Sequence, residues 1–371
     1  EMLRSLVGSE MCIRDRYMTL ALKLAKKGKY SSHPNPQVGC VIVFNNKIIG
    51  QGWHENSGAP HAEINALISV IQPVVGATAY VTLEPCAHQG KTGPCCEALI
   101  KAAVKRVVVA CEDPFEKTAG KGIAAMRSAG IEVLVGLFES EARTLNRGFF
   151  SRIERQKPFV CLKVAASMDG ATAMNNGESQ WITGEAARAD VQKLRAMSGA
   201  IMTGIGTVKS DDPALTVRDH NLVQQQPLRV LLDSQLQVSP EAKIFQENGH
   251  VRVFCINTKR RAALEGPNVS IVQTKADNKH VALDEVLYDL AQEGINDLLI
   301  EAGPILSGNM LSLGLIDELV IYQAPHIMGS EVKPMFQTST WKSLADRQQL
   351  VIEDIRKIGQ DFKITARPID Q

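Results

Sequence analysis

The chain has almost no net charge, with 41 Lys plus Arg against 40 Asp plus Glu for a formal +1. It therefore lacks the basic footprint with which nucleic-acid binders neutralise phosphates, and small-molecule substrates are favoured. It lacks any apolar run near the roughly 18 to 20 residues that span a bilayer, and it shows no charged-then-apolar leader. No nucleic acid, no membrane and a cytoplasmic location are the expectation. No G-x-G-x-x-G follows a strand with an acidic residue about twenty positions on, which argues against a Rossmann dinucleotide site. No repeat relates the two halves, and low complexity is confined to residues 224 to 226. Eight cysteines are present, but Cys40, Cys111, Cys161 and Cys255 sit inside apolar stretches, as reduced core residues do and a disulfide framework does not. What remains is an ordinary globular composition, 44% hydrophobic and 22% charged over 371 residues. At about 100 to 200 residues per domain, that length suggests two domains.

The pattern along the chain supports a layered α/β fold in both halves. Residues 1–16, EMLRSLVGSEMCIRDR, show no helical or strand period; they read as a segment foreign to the natural protein, resembling translated adaptor DNA, and are set aside. A helix is predicted from Tyr17 to Lys27, then a hairpin through Asn45 and Asn46. The stretch HAEINALISVI follows, with Ile64, Leu67, Ile68 and Ile71 on one helical face. Strands and helices then alternate to about Asn146. Lys157-Pro158 interrupts the pattern, so we place the boundary near residue 155, giving domains 17–155 and 156–371. The second half alternates again, with strands at 159–167, 200–204, 228–233, 251–257, 297–303 and 318–324, and two late strands around 350–366.

The chemistry of the first half gathers in two segments. Pro60-His61-Ala62-Glu63 opens one helix, and TLEPCAHQGKTGPCC ends in another. A helix N-terminus carries partial positive charge that favours thiolates, and proline in the first turn costs little there. One imidazole with two thiolates makes three ligands; a catalytic zinc keeps its fourth position open, whereas a structural zinc fills all four. Glu63 is the proton shuttle in that reading. Since it lies about 200° around an ideal helix from His61, the site has to sit off the helix end. H-x-E followed by P-C-x-x-C is the pattern of zinc nucleobase deaminases, and here the spacer is longer. A structural zinc and a metal-free set of core residues are the competing readings. Cys96 shares an apolar helical face with Leu99, Ile100 and Ala103 and is better read as packing.

The segments HPNPQVGCVIV, GAPHAEINAL, TLEPCAHQGKTGPCCEALI and KTAGKG resemble the bifunctional deaminase and reductase family of riboflavin biosynthesis, and the likeness runs over residues 17–371. It implies a cytidine-deaminase-like three-layer domain followed by a dihydrofolate-reductase-like domain. It implies one zinc on His61, Cys86 and Cys95, with Glu63 as the shuttle and Asn35, His54, Lys91 and Asp113 on the pyrimidine nucleotide. In the second half it implies NADPH against Ala165, Trp181, Thr207, Asp211, Ser234 and the turn Gly303, Pro304, Ile305, Leu306, Ser307, Gly308 and Asn309. The substrate's ribose phosphate is then expected near Ser179, Arg195, Leu215, Arg218 and Glu301. Arg195 and Arg218 suit a bidentate grip on that phosphate. Lys163 and Asp169 are lesser candidates, for helping proton transfer or packing the site. A homo-oligomer, dimer or tetramer, is also expected.

Two positions depart from the family pattern: Phe115, where an asparagine is usual, and Ala171, where a basic residue is common. A nucleoside or tRNA deaminase fused to an inert reductase-like module is the rival enzyme. A zinc-stabilised binding protein with decayed sites is the non-enzyme alternative.

Overall fold

The computed structural model describes the backbone of residues 2–88, 93–223, 225–338 and 341–369 and the side chains from residue 14 onward. The chain divides into two compact units, Glu1–Arg155 and Gln156–Gln371.

The first unit runs α1 (Met2–Ala25), β1 (Gly39–Phe44), β2 (Lys47–Trp53), α2 (Ala62–Ile68), β3 (Thr78–Val81), α3 (Cys95–Lys101), β4 (Arg106–Val109), α4 (Lys121–Ser128), β5 (Glu132–Val135), α5 (Glu139–Leu145) and α6 (Arg147–Arg155). Its five-stranded sheet has the order β2-β1-β3-β4-β5. β1 is antiparallel to β2 and β3, and β3, β4 and β5 are parallel. Both sheet faces are covered. Along β1, Cys40 and Ile42 join the core that includes Ala62, Cys96, Leu99 and Met126, while Val41 and Val43 face Met18, Leu22 and Phe150. This strand alternation makes a three-layer domain. Asn45 and Asn46 both take positive φ, 48° and 60°, as a two-residue hairpin turn requires.

Two expectations need correction. α1 extends upstream to Met2, beyond the helix predicted from Tyr17. Once a helix exists, each further residue adds a backbone hydrogen bond without needing an apolar face. Among the side chains described, the packed face begins at Tyr17. In α2 the buried residues are Ala62, Glu63 and Ala66, whereas Ile68 is 73% exposed, and Ile71 lies beyond the helix end and is 99% exposed. The cause is close backbone approach: a Cβ on Gly50 would lie 2.6 Å from the Ala66 carbonyl oxygen, and one on Gly52 2.4 Å from that of Ala62. Only small helix residues fit against such a strand, so Ile68 is turned outward and Leu67 is only partly buried against the core.

The second unit runs β6 (Phe159–Ala166), β7 (Ala171–Met174), α7 (Glu185–Met197), β8 (Ala200–Gly204), α8 (Ile205–Asp211), β9 (Leu228–Leu232), α9 (Lys243–Gln246), β10 (Val251–Cys255), β11 (Val269–Gln273), β12 (Ala276–Asp277), β13 (His280–Val281), α10 (Leu283–Gln292), β14 (Asp297–Glu301), α11 (Pro304–Ser312), β15 (Glu318–Gln323), β16 (Val332–Pro334), β17 (Leu350–Ile358) and β18 (Asp361–Pro368). Its nine-stranded sheet has the order β11-β10-β9-β8-β14-β6-β15-β18-β17. It is parallel from β11 to β15 and closes with the antiparallel hairpin β17–β18. Two apolar clusters cover its faces, one with α10 and α11 and the other with α7. A parallel sheet needs covering on both faces, and its ligands usually meet it at the carboxyl ends of the strands.

Candidate active sites

In the first unit those carboxyl ends carry the chemistry. Pro85 and Cys86 follow β3, Asp113 follows β4, and His61 is the N-cap of α2. His61 has extended backbone angles, φ −71° and ψ 166°. It therefore stands off the helix, as the angular argument about Glu63 requires. His61, Cys86 and Cys95 place one donor atom each within 4.8 Å of one another. His61 Nδ1 is 3.2 Å from Cys95 Sγ and 3.5 Å from Cys86 Sγ. Zinc bonds of about 2.3 Å to sulfur and 2.0–2.1 Å to nitrogen, at tetrahedral angles, separate ligand atoms by about 3.5–3.8 Å. The three donors fit that ion.

Cys96 is 2% exposed and packs with Leu99 in the core. Its backbone N–H donates to the Cys86 carbonyl at 3.2 Å, and the Cys95 N–H donates to Cys86 Sγ at 3.4 Å. The start of α3 thus supplies one ligand and holds another. The Cys95 thiol donates to the Cys86 sulfur, which draws Cys86 down and, with burial, pushes Cys95 up. His61 is raised by its bond to Cys86. Glu63 is 3% exposed; burial first, and then the charge of Cys86, raise its carboxyl to about 7. A group that exchanges its proton near neutrality suits general acid/base work.

The other residues expected at the pyrimidine fall around this centre. His54 is 2% exposed, and its ring lies 5.3 Å from that of His61, edge to face. Its Nδ1 is 3.2 Å from the Pro60 carbonyl and its Nε2 3.0 Å from Asn35 Nδ2. With a carbonyl on one side and an amide N–H on the other, Nδ1 is the protonated nitrogen. Burial lowers its pKa, against the bond to Pro60, which raises it. Asp113 is nearly buried, and burial raises its carboxyl to about 6. Lys91 lies outside the described residues.

Sequence reasoning missed Glu84. This buried carboxylate accepts N–H groups from Asp113, Gly120 and Ile123. The available signal was an acid standing inside the apolar run before Pro85.

In the second unit the expected cofactor residues lie at the carboxyl ends of neighbouring strands: Ser234 after β9, Thr207 in α8 after β8, Gly303 after β14, and Ala165 in β6. The Gly303 N–H donates to Thr207 Oγ1 at 3.1 Å, tying two of these together. α11 begins with Gly303 as N-cap and Pro304 in its first turn, with no side-chain cap. Its leading N–H groups therefore suit an anion such as a dinucleotide phosphate. Asp211, at the end of the same α8, accepts a hydrogen bond from Ser179 Oγ at 3.2 Å. Trp181 is 67% exposed under the Arg188 guanidinium, 4.5 Å from the ring centre.

Not every expected residue offers its side chain. Gly308 is packed against Gln337, where a Cβ would come within 2.1 Å of the carbonyl oxygen. Ser307 is fully buried, and Leu215 is in the core with φ 52°. Pro304 is partly buried and Leu306 packs against the core, while Ile305 and Asn309 are exposed. Arg218 is exposed, but the Arg195 fork is already engaged by Glu301. The bidentate grip expected of Arg195 on a phosphate is thus made on a carboxylate of the same chain. Lys163 adds a second cation, 3.5 Å from Glu301. Asp169 instead accepts the N–H groups of Met328 and Gly329, holding a loop.

Comparison with known proteins decides the family. Residues 158–364 match the RibD C-terminal domain, and residues 11–111 match the cytidine and deoxycytidylate deaminase zinc-binding region. The riboflavin biosynthesis protein RibD of Escherichia coli is 44% identical over 356 residues, 93% of this chain and 96% of that protein. The chain belongs to the RibD family. Its Aquifex aeolicus member is 42% identical, over 95% of this chain and 98% of that one. Among solved structures, Acinetobacter baumannii RibD superposes with a TM-score of 0.90 at 44% identity, covering 97% of this chain and all of that one. A Thermotoga maritima deaminase/reductase gives 0.86 at 31% identity with the same coverage. The fold is accordingly a cytidine-deaminase-like domain joined to a reductase domain of the RibD type.

Against the family pattern, Phe115 is partly buried beside the core, edge-on to His88 at 5.9 Å between ring centres. Its backbone N–H still donates to Asp113. Ala171 is fully buried, and its N–H and carbonyl are both bonded to Ser167.

Proposed function

We propose that the chain deaminates a phosphorylated diaminopyrimidinone nucleotide, 2,5-diamino-6-(5-phosphoribosylamino)pyrimidin-4(3H)-one, and then reduces its ribosyl group to ribityl. The expected product is 5-amino-6-(5-phosphoribitylamino)uracil. The observation that carries the reading is the convergence of His61, Cys86 and Cys95 beside a buried Glu63 whose carboxyl titrates near 7. His61, Cys86 and Cys95 would hold the zinc, whose chemistry when bound would be to lower the pKa of a water used for hydrolysis.

Glu63 takes a proton when the nucleophile is generated and returns it to the departing amine, so that ammonia leaves neutral. Asn35 and His54 hold the ring edge, His54 being fixed in one tautomer by Pro60. NADPH bound in the second unit would supply a hydride to C1′ of the ribose, with the C1′–O4′ bond opening and O4′ taking a proton from water. The α11 N-terminus and Thr207 hold the cofactor. Glu301, fixed by Arg195 and Lys163, orients the sugar, and the exposed Arg218 meets the substrate phosphate. Orientation is most of what hydride transfer asks of a protein.

The reading includes a cytoplasmic homo-oligomer, dimer or tetramer. Free thiols at all seven described cysteines support a reducing compartment. The exposed Ile352 and Ile355 on the edge strand β17 support self-association, and a sedimenting mass of one chain counts against it. The catalytic reading is tested by giving purified protein the diaminopyrimidinone nucleotide without NADPH. Ammonia release, followed by NADPH oxidation once the cofactor is added, is expected; neither signal rejects it.

A further inference from the structure

Glu84 stands two residues before Cys86 and is 3% exposed, yet it neither faces solvent nor enters the proposed chemistry. Its Oε2 accepts the N–H of Gly120 at 3.0 Å and of Asp113 at 3.3 Å, and its Oε1 accepts that of Ile123 at 3.1 Å. Gly120 is the N-cap of α4, and no side chain of its own caps that helix. The cap comes from 36 residues upstream, as a negative charge placed at the positive end of the helix.

The contact is tightened by Gly122, where a Cβ would lie 2.0 Å from the Pro85 carbonyl oxygen. Thr118 Oγ1 and His88 Nδ1 add a third link at 3.3 Å. The segment carrying Cys86 is thus fastened to the α4 side by Glu84, Pro85 and His88, and to the start of α3 through its own sulfur and carbonyl. The motif KTAGKG, which has no part in the chemistry, here has a physical reason.

We propose that Glu84 is a positioning residue of the metal centre: its carboxylate locks the N-terminus of α4 onto the ligand segment and fixes the Cys86 sulfur where His61 and Cys95 meet it. The inference rests on reading those three residues as the zinc site. Three N–H groups require an acceptor-only side chain. An amide would turn its own NH2 toward a donor.

The test uses the full chain and Glu84→Gln. Outer-shell substitutions of this kind weaken metal binding by about 10- to 100-fold. A zinc dissociation constant raised by that factor is expected, with a displaced visible spectrum of the cobalt-substituted protein and unchanged NADPH oxidation on deaminated substrate. Wild-type zinc affinity and cobalt spectrum in a folded Glu84→Gln overturn the proposal, even where its stability falls. Should the variant not fold, amide exchange in the wild type decides. Removing zinc should accelerate exchange at Asp113, Gly120 and Ile123, because coupling between metal and clamp is reciprocal; unchanged protection there overturns it. A wild-type chain that takes up no zinc rejects the metal site itself. One zinc per wild-type chain with an indifferent Glu84 rejects only the present inference.

Discussion

Arg195 and Glu301 form a two-point ion pair inside the second unit. Nε donates to Oε1 at 2.5 Å and Nη2 to Oε2 at 3.1 Å, with both side chains close to 10% exposed. Burial alone would raise the Glu301 carboxyl, but Arg195 and then Lys163 hold it at about 2. A folded-state pKa below the ordinary 4.5 gives stability that is complete above pH 4.5 and lost as pH falls toward 2. Glu301→Gln should therefore cost on the order of 3 kcal/mol at pH 7, and much less near pH 2.5. Denaturant unfolding of both proteins at the two pH values measures this. A difference independent of pH would remove the charge from the explanation.

Glu63→Gln should retain one zinc per chain and lose ammonia release by about 10²- to 10⁴-fold. NADPH oxidation on pre-deaminated substrate should be untouched. Parallel loss of zinc would mean that Glu63 holds the site together rather than moving a proton.

The two adjacent cysteines separate cleanly. Cys95→Ser should lose tightly held zinc, because it removes one of three donors. Cys96→Ser should keep the metal and lower stability by about 1 kcal/mol, since it places a hydroxyl in a packed core. Metal analysis after dialysis, with unfolding curves, distinguishes them; retention in the first and loss in the second would reverse the ligand assignment.

Arg229 is fully buried, and its guanidinium donates to four main-chain carbonyls, those of Ile244, Glu247, Asn248 and Gly249. Arg229→Met should destabilise the second unit by about 3 kcal/mol, because four main-chain carbonyls lose a charged donor together, that of the buried Ile244 among them. Chemical unfolding followed through the reductase signal would show it.

The elements were legible where hydrophobic period alone decides them: the hairpin at Asn45 and Asn46, the alternating strands of both sheets, and the apolar face that sets Cys96 apart from Cys95. The cluster of His61 with Cys86 and Cys95 was legible too, through residue types that zinc requires at helix entrances. α2 misled because period counts side chains and does not see that Gly50 and Gly52 bring a strand too close for Ile68 to fit beneath. Glu84 and Arg229 were illegible for another reason. Their partners are backbone groups of segments distant in sequence or without period, and in isolation each reads as a charged surface residue. The pairing of Arg195 with Glu301 is illegible in the same way, since nothing in the sequence ties two residues 106 positions apart.

The most direct test follows ammonia release and NADPH oxidation together in one sample of wild-type protein given the diaminopyrimidinone nucleotide. The account predicts that both appear, ammonia first, ending at one NADPH oxidised per ammonia released. NADPH oxidation without ammonia, or neither signal from protein carrying one zinc per chain, would contradict it.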